Sequence, residues 1–386
     1  MSIREVAELF GPAWIALMAD ADAASIIGAM STGEQYGYRL LWFVALLAVP
    51  IFLVQEAAGR LGAVTGKGVG ELVRERYSGK VALLSAVPIF AVDVFTYLSE
   101  YTGIALGSAL LGISPLFGLL LFFTLHLFVV VTRSHKRTES VLILVSLLLF
   151  GSSLAAVSSR VLHPSPLLYF STSKEFLFFL AVNVGAVVTP PCTLIYQASS
   201  TAKKYPLVSA NVKDKVKWAS RETLLGAAVT ELIVALMEMV GANLGASVNL
   251  FHLSYNFLDL VLGSLLISSG FLALVVVSLS SAWGVLEATG RNSDTNTLKL
   301  YALESIPALM VVSLMLRSLQ AVFNLALTLL TLSPLAFSMM ALLVGMLVSD
   351  EELMGKFVYG RGRKFIYLLT VALILLGGVV GFLPNL

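Results

Sequence analysis

The sequence predicts an all-α integral membrane protein of eleven helices, built as two inverted repeats of five with one helix added. Three observations carry that prediction. The chain of 386 residues is 58% hydrophobic and only 12% charged, and apolar stretches of about twenty residues, the length that crosses a bilayer as a helix, recur from end to end. Lysine and arginine are distributed asymmetrically between the connections. The first and sixth apolar stretches, five apart, are interrupted by residues that hydrocarbon does not tolerate.

The spans are expected near residues 11–33, 38–59, 82–109, 112–132, 138–158, 175–200, 222–248, 255–286, 299–317, 320–348 and 364–384. Almost nothing remains for a soluble domain, so residues 1–386 form one membrane domain. With the N-terminus cytoplasmic, 21 of the 25 basic residues fall inside and only Arg39, Arg160, Lys174 and Arg317 fall outside. That is the positive-inside pattern for N-in and C-out, and one miscounted span would scramble it. Residues 1–10 lack the basic region and cleavage site of a signal peptide and read as a short interfacial helix. The longest polar connection, around residues 200–221, reads as a basic linker. A net charge of +2 gives no reason to expect nucleic acid as a partner, and the single Cys192 excludes an internal disulfide. Gly66-Lys67-Gly68 and Gly360-Arg361-Gly362 follow no strand, so they read as loop punctuation rather than phosphate cradles.

The interruptions are specific. Span 1 carries Asp20 and Asp22 in Ala19-Asp20-Ala21-Asp22-Ala23-Ala24-Ser25, and span 6 carries Pro190-Pro191 in Gly185-Ala186-Val187-Val188-Thr189-Pro190-Pro191-Cys192. A carboxylate at the bilayer centre costs about 2.5–3.5 kcal/mol on insertion scales, so it persists where it faces a cavity, a partner or an ion. Consecutive prolines remove two amide donors and free backbone carbonyls. Non-helical backbone at that depth is tolerated only around a protein-lined or watery site. Paired breaks five spans apart give repeats of opposite orientation with a site at the midplane, the LeuT-like arrangement of secondary transporters. Repeat one covers about 11–158 and repeat two about 175–348, with about 364–384 as the additional helix. Carboxylates with free carbonyls specify a cation.

Three tracts then carry a resemblance. Glu34-Gln35-Tyr36-Gly37-Tyr38-Arg39-Leu40-Leu41-Trp42 is similar to the junction after span 1 in the Nramp family of divalent metal-ion transporters. Arg60-Leu61-Gly62-Ala63-Val64-Thr65-Gly66-Lys67 with Arg74-Glu75-Arg76-Tyr77 resembles its next cytoplasmic loop. Ser349-Asp350-Glu351-Glu352-Leu353-Met354-Gly355-Lys356-Phe357 resembles its span-10 exit. The resemblance implies a metal site at the two breaks, and the departures from the family pattern are informative. Where the family has Asp-Pro-Gly-Asn, this chain has Asp22-Ala23-Ala24-Ser25; Asp22 takes the place of the metal-binding aspartate and Ser25 replaces asparagine. Where it has Met-Pro-His-Asn, this chain has Thr189-Pro190-Pro191-Cys192; Thr189 replaces the thioether ligand and Pro191 a histidine linked to proton movement. Ala186 falls where the family offers a backbone carbonyl. Span 3 keeps Glu100-x-x-Gly103, but Tyr97 stands where an aspartate is expected. These changes resemble the Nramp-related magnesium transporter branch, which lacks the soft ligand and proton coupling.

Ligand type decides the ion. A methionine sulfur suits soft or borderline metals, and Thr189 in its place offers a hard oxygen. Mg²⁺ binds through one or two carboxylates and keeps several waters, and Mn²⁺ accepts similar ligands. Asp22, Ser25, Ala186, Thr189 and Asp20 are therefore the expected metal residues, with Gln197, Glu100, Asp93, Tyr97 and Glu231 as candidates for the pathway. In a regular helix Asp20 and Asp22 point apart; unwound backbone lets both face one ion. Alternatives stay open at several positions. Asp22 as a cap on an exposed helix N-terminus, hydroxyls bonded back to their own helix, and Glu100 held by an arginine or by backbone are the structural readings. Cys192 reads as a small buried filler and His126 as an interior histidine.

The function expected is alternating-access transport of Mg²⁺ and Mn²⁺, uncoupled from protons, by a monomer in a prokaryotic plasma membrane, with no cofactor and with the cation and the bilayer as its partners. The alternatives are a proton-coupled Mn²⁺/Fe²⁺ importer of the main Nramp type and an amino-acid transporter of the same architecture. Two aspartates beside the break would repel the carboxylate of an amino acid. No nucleophile–base pair or metal-hydrolase spacing suggests an enzyme.

Overall fold

The computed structural model describes residues 3–131, 135–158, 168–185, 191–244, 257–291, 294–330 and 332–382. Among them there is no strand. The elements are α1 (Ile3–Leu9), α2 (Pro12–Asp20), α3 (Ala23–Tyr36), α4 (Leu41–Thr65), α5 (Val69–Arg76), α6 (Gly79–Leu110), α7 (Pro115–Val131), α8 (His135–Ser158), α9 (Lys174–Asn183), α10 (Pro191–Lys204), α11 (Val212–Leu244), α12 (Phe257–Thr289), α13 (Asp294–Leu314), α14 (Leu319–Leu330), α15 (Ser333–Leu347), α16 (Glu351–Met354) and α17 (Arg361–Phe382). Seven described helices are long and apolar enough to cross a membrane, or nine when two bent pairs each count as one span. The first bent pair is α2 with α3, at 46°.

Two expectations from the sequence need correction. Residues 320–348 do not form one helix, because α14 ends at Leu330 and α15 begins at Ser333 with Pro334 in its first turn. Proline there has no amide to donate and fits a helix start better than a helix interior. The basic segment around 200–221 is not a long linker. α10 runs to Lys204, a 3₁₀ turn covers Tyr205–Leu207, and α11 already begins at Val212. Its lysines extend the two helices by polar turns beyond the apolar stretch.

Small residues set how closely the helices approach. A Cβ on Gly33 would lie 1.9 Å from the Glu238 carbonyl oxygen, and one on Gly241 would lie 2.0 Å from that of Met30, so α3 and α11 meet backbone to backbone. α6 and α12 do the same, with Gly107 facing the Gly263 carbonyl at 2.8 Å. Such small-residue seams supply the van der Waals packing that replaces the hydrophobic effect inside a bilayer. α12 is the most enclosed of the long apolar helices, with 83% of its apolar window buried, against 22% for the peripheral α17.

Charges gather at the end where the basic loops lie. Lys204 Nζ bonds Glu139 Oε2 at 2.7 Å and donates to the Phe10 carbonyl. Glu222 Oε1 accepts from the Gly11 and Trp14 amides, at 2.7 and 3.0 Å, and so closes the otherwise unpaired start of α2. Glu56 is shared by Arg60, Arg363 and the Tyr359 hydroxyl, which ties α4 to the start of α17.

Candidate metal site

The break in the first apolar stretch is built by local hydrogen bonding. Ala21 and Asp22 leave helical geometry, at φ/ψ of −81°/53° and −78°/179°. Asp22 then caps α3, its Oδ1 accepting from the Ser25 amide at 2.7 Å. A cap of this kind stabilises a helix by about 0.5–2 kcal/mol. The Ser25 hydroxyl donates across the break to the Asp20 carbonyl at 2.7 Å.

A second acid closes the same helix end. Glu100 Oε2, on α6, accepts from the Ala23 amide at 3.0 Å, and its Oε1 accepts from the Ser99 hydroxyl at 2.9 Å. Gly103, one turn on, makes the room, since a Cβ there would sit 2.4 Å from that of Ala23. The Glu-x-x-Gly spacing thus puts a carboxylate and a gap against the same residue of span 1. Asp22 and Glu100 are both fully enclosed, at 3% and 0% exposure.

Asp20, at 1% exposure, ends α2, and neither of its carboxylate oxygens has a hydrogen-bond partner of normal geometry. The Thr193 hydroxyl of α10 lies beside it, and the charges of Asp22 and Glu231 act on it. Thr193 Oγ1 in turn accepts from the Gln55 side-chain amide at 2.6 Å. Glu231, on α11, is buried with both carboxylate oxygens unpartnered.

In the sixth apolar stretch the described residues form α9 and α10, which opens at Pro191. Ala186 and Thr189 lie outside the described residues. Gln197 faces away from solvent between α4 and α11. Its Nε2 donates to Thr223 Oγ1 at 2.8 Å, and its amide packs on Gly59. Cys192 is buried, with Asp93 close enough to act on it, and Asp93 is itself beside Ser281 of α12. Ser281 Oγ donates to Glu304 Oε1 of α13 at 2.5 Å.

Tyr97 belongs to a different region. The Ser278 hydroxyl of α12 gives its proton to the Leu274 carbonyl at 2.6 Å, so its oxygen accepts from Tyr97 and from His126 Nε2, each at 2.7 Å. His126 Nδ1 then accepts from the Tyr301 hydroxyl at 3.3 Å. Every group in this chain of α6, α7, α12 and α13 has a partner.

Sequence reasoning missed Gln55, Thr193 and Glu304. Gln55-Glu56 interrupts the apolar run of span 2, and Glu304 is a lone acid in span 9. Both were visible as polar positions; the Gln55–Thr193 pairing joins residues 138 apart and had no local signal.

Comparison with known proteins gives the family. The family model described as natural resistance-associated macrophage protein-like (Nramp) matches residues 13–383. The chain belongs to the Nramp family. Membership makes it a membrane transporter and not an enzyme. It is similar to the divalent metal cation transporter MntH of Chromohalobacter salexigens, 30% identical over 292 residues that cover 71% of this chain and 67% of the relative. The MntH of Verminephrobacter eiseniae is 26% identical over 60% of this chain, which spans 55% of that relative's length. In fold, the manganese transporter of Eremococcus coleocola, solved with an aromatic bis-isothiourea compound, superposes with a TM-score of 0.82. It covers 98% of this chain and 86% of its own, at 16% identity.

Proposed function

We propose that this Nramp-family chain carries Mg²⁺ and Mn²⁺ into the cell by alternating access, down the concentration gradient and the membrane potential, without moving protons. The single observation that carries the reading is the enclosed break at Asp20–Ser25, where a capped helix end brings Asp22 and Ser25 together with Asp20 beside them. On this reading Thr189, in the place of the family's methionine, supplies a hard oxygen, and Ala186 supplies a backbone carbonyl. A set of hard oxygens suits Mg²⁺ and removes the advantage of softer metals.

The same reading takes the architecture as eleven spans in two inverted repeats of five, about 11–158 and 175–348, with α17 added. The seven long helices, the bent α2–α3 pair, the 17-residue α7, the α9–α10 pair and the α14–α15 pair make up that number. Spans 1, 2, 6 and 7 rock against the remainder around the site, within one chain in the plasma membrane.

Absence of proton coupling is supported by Tyr97 and Pro191 in positions where the family has titratable side chains. Glu100, which remains, is occupied as a helix cap. A divalent ion entering down 100 mV gains about 4.6 kcal/mol, from about 2.3 per charge, enough to accumulate it without protons. The test is Mg²⁺ influx into proteoliposomes under an inside-negative potential with a lumenal pH dye. Saturable Mg²⁺ entry without acidification is expected. Mn²⁺ entry with acidification and no Mg²⁺ flux would return the chain to the proton-coupled type.

A further inference from the structure

We infer that Asp20 and Glu231, with Gln55 and Thr193, form a second station for a hydrated divalent cation on the cytoplasmic side of Asp22. This rests on the transport reading and deepens it by naming where the ion goes on leaving the central site.

The carboxylates supply the charge. Asp20 ends the half-helix α2, which enters from the cytoplasmic face, and Glu231 lies midway along α11; they are 1% and 4% exposed. None of their four carboxylate oxygens has a hydrogen-bond partner of normal geometry, and the Thr193 hydroxyl lies beside Asp20. Among the described residues no lysine or arginine pairs with either, in contrast to Glu56 and Glu139 nearer the basic face.

Gln55 is an independent observation, because it carries no charge. It is 2% exposed, and its Nε2 is committed to Thr193 Oγ1 at 2.6 Å. The Thr193 hydroxyl is the group beside Asp20. That leaves Gln55 Oε1 as a buried acceptor with no donor. Asp20, Glu231 and Gln55, on three helices, therefore carry five acceptor oxygens without a partner of normal geometry, with Thr193 beside Asp20. An unmet buried acceptor costs about 1–3 kcal/mol, and more when charged. A cation that keeps part of its water shell answers all of them at once, through its waters where it does not bind directly. The all-oxygen donor set selects a hard ion such as Mg²⁺ or Mn²⁺.

The location gives the station a purpose. α2, α4, α10 and α11 are the elements that the transport reading moves together, so the station keeps its shape as they tilt. Ala23, next to Asp22 in the chain, donates to Glu100 of the stationary part, so the central site also touches the part that does not move. A second ion site close to the first weakens the hold on each ion by mutual repulsion, the condition for release as well as capture.

The test is equilibrium binding of Mn²⁺ alone to the full chain in lipid nanodiscs, read as ions bound per chain. Wild type is expected to bind two. Glu231→Gln, which spares Asp20 beside the central site, is expected to bind one, with the affinity of the tighter wild-type site, which also reports its folding. Gln55→Leu leaves the carboxylates in place and is expected to weaken the second ion about tenfold, roughly 1.4 kcal/mol, with the first unchanged. A single Mn²⁺ in wild type that Asp22→Ala removes would overturn the station while leaving the transport reading intact. Unaltered second-site affinity in Gln55→Leu would also overturn it. No Mn²⁺ bound by wild type would overturn both readings.

Discussion

Two buried polar regions sit in the same helical bundle and are finished to different degrees. Around His126, hydroxyls and ring nitrogens from α6, α7, α12 and α13 form a closed set in which each donor has an acceptor. Around Asp20, side chains from α2, α4, α10 and α11 present acceptors almost exclusively. Both regions are equally hidden, with His126 at 0% exposure and Asp20 at 1%. Burial alone therefore does not separate structure from function. What separates them is whether the polar groups satisfy one another, since a satisfied network rigidifies the bundle and an unsatisfied one waits for a ligand.

That contrast orders the expected effects of substitution. Asp22→Ala removes both the α3 cap and the central carboxylate, and Mg²⁺ influx should fall to the level of empty liposomes. Glu100 tests whether an acid at the boundary belongs to the site or to the frame. Glu100→Ala leaves the Ala23 amide without its acceptor and should lower Mg²⁺ influx about tenfold, which equals about 1.4 kcal/mol in positioning. Glu100→Gln keeps an acceptor oxygen for that amide. Its influx should stay within about twofold of wild type, an outcome incompatible with Glu100 as an obligatory proton carrier. In the closed region, Tyr97→Phe deletes one interhelical hydrogen bond. It should cost about 0.6–1.7 kcal/mol of stability, seen as a lower Tm in detergent, with Mg²⁺ affinity unchanged. The smallest effect belongs to the surface. Arg76, at 47% side-chain exposure, reaches Asp350 and Glu352 at 2.7 and 2.9 Å, and Arg76→Ala should leave Tm in detergent almost unchanged, with any difference smaller still at high salt.

The sequence made some of this contrast readable. Asp20 and Asp22 announced a break in span 1 because carboxylates inside an apolar run have few explanations. The apolar lengths marked most helices for the same reason. Pro334 was the available signal for the division between α14 and α15, but Thr331-Leu332-Ser333 around it is apolar enough to pass as continuous helix. The lysines of residues 203–217 looked like loop because charge excludes a residue from hydrocarbon without excluding it from a helix. The role of Glu100 as a cap on Ala23 and the Gln55–Thr193 pair depend on contacts between distant segments, and composition carries no record of them. His126 read as an interior histidine, but only the positions of Ser278 and Tyr301 reveal that its two nitrogens are both engaged.

The most direct measurement compares the two regions in one assay: initial Mg²⁺ influx into proteoliposomes for wild type, Asp22→Ala and Tyr97→Phe, at matched protein density and imposed potential. The account predicts background flux for Asp22→Ala and a near wild-type rate for Tyr97→Phe. Equal loss in both variants, or persistence of saturable influx in Asp22→Ala, would contradict the assignment of the cation to the open region.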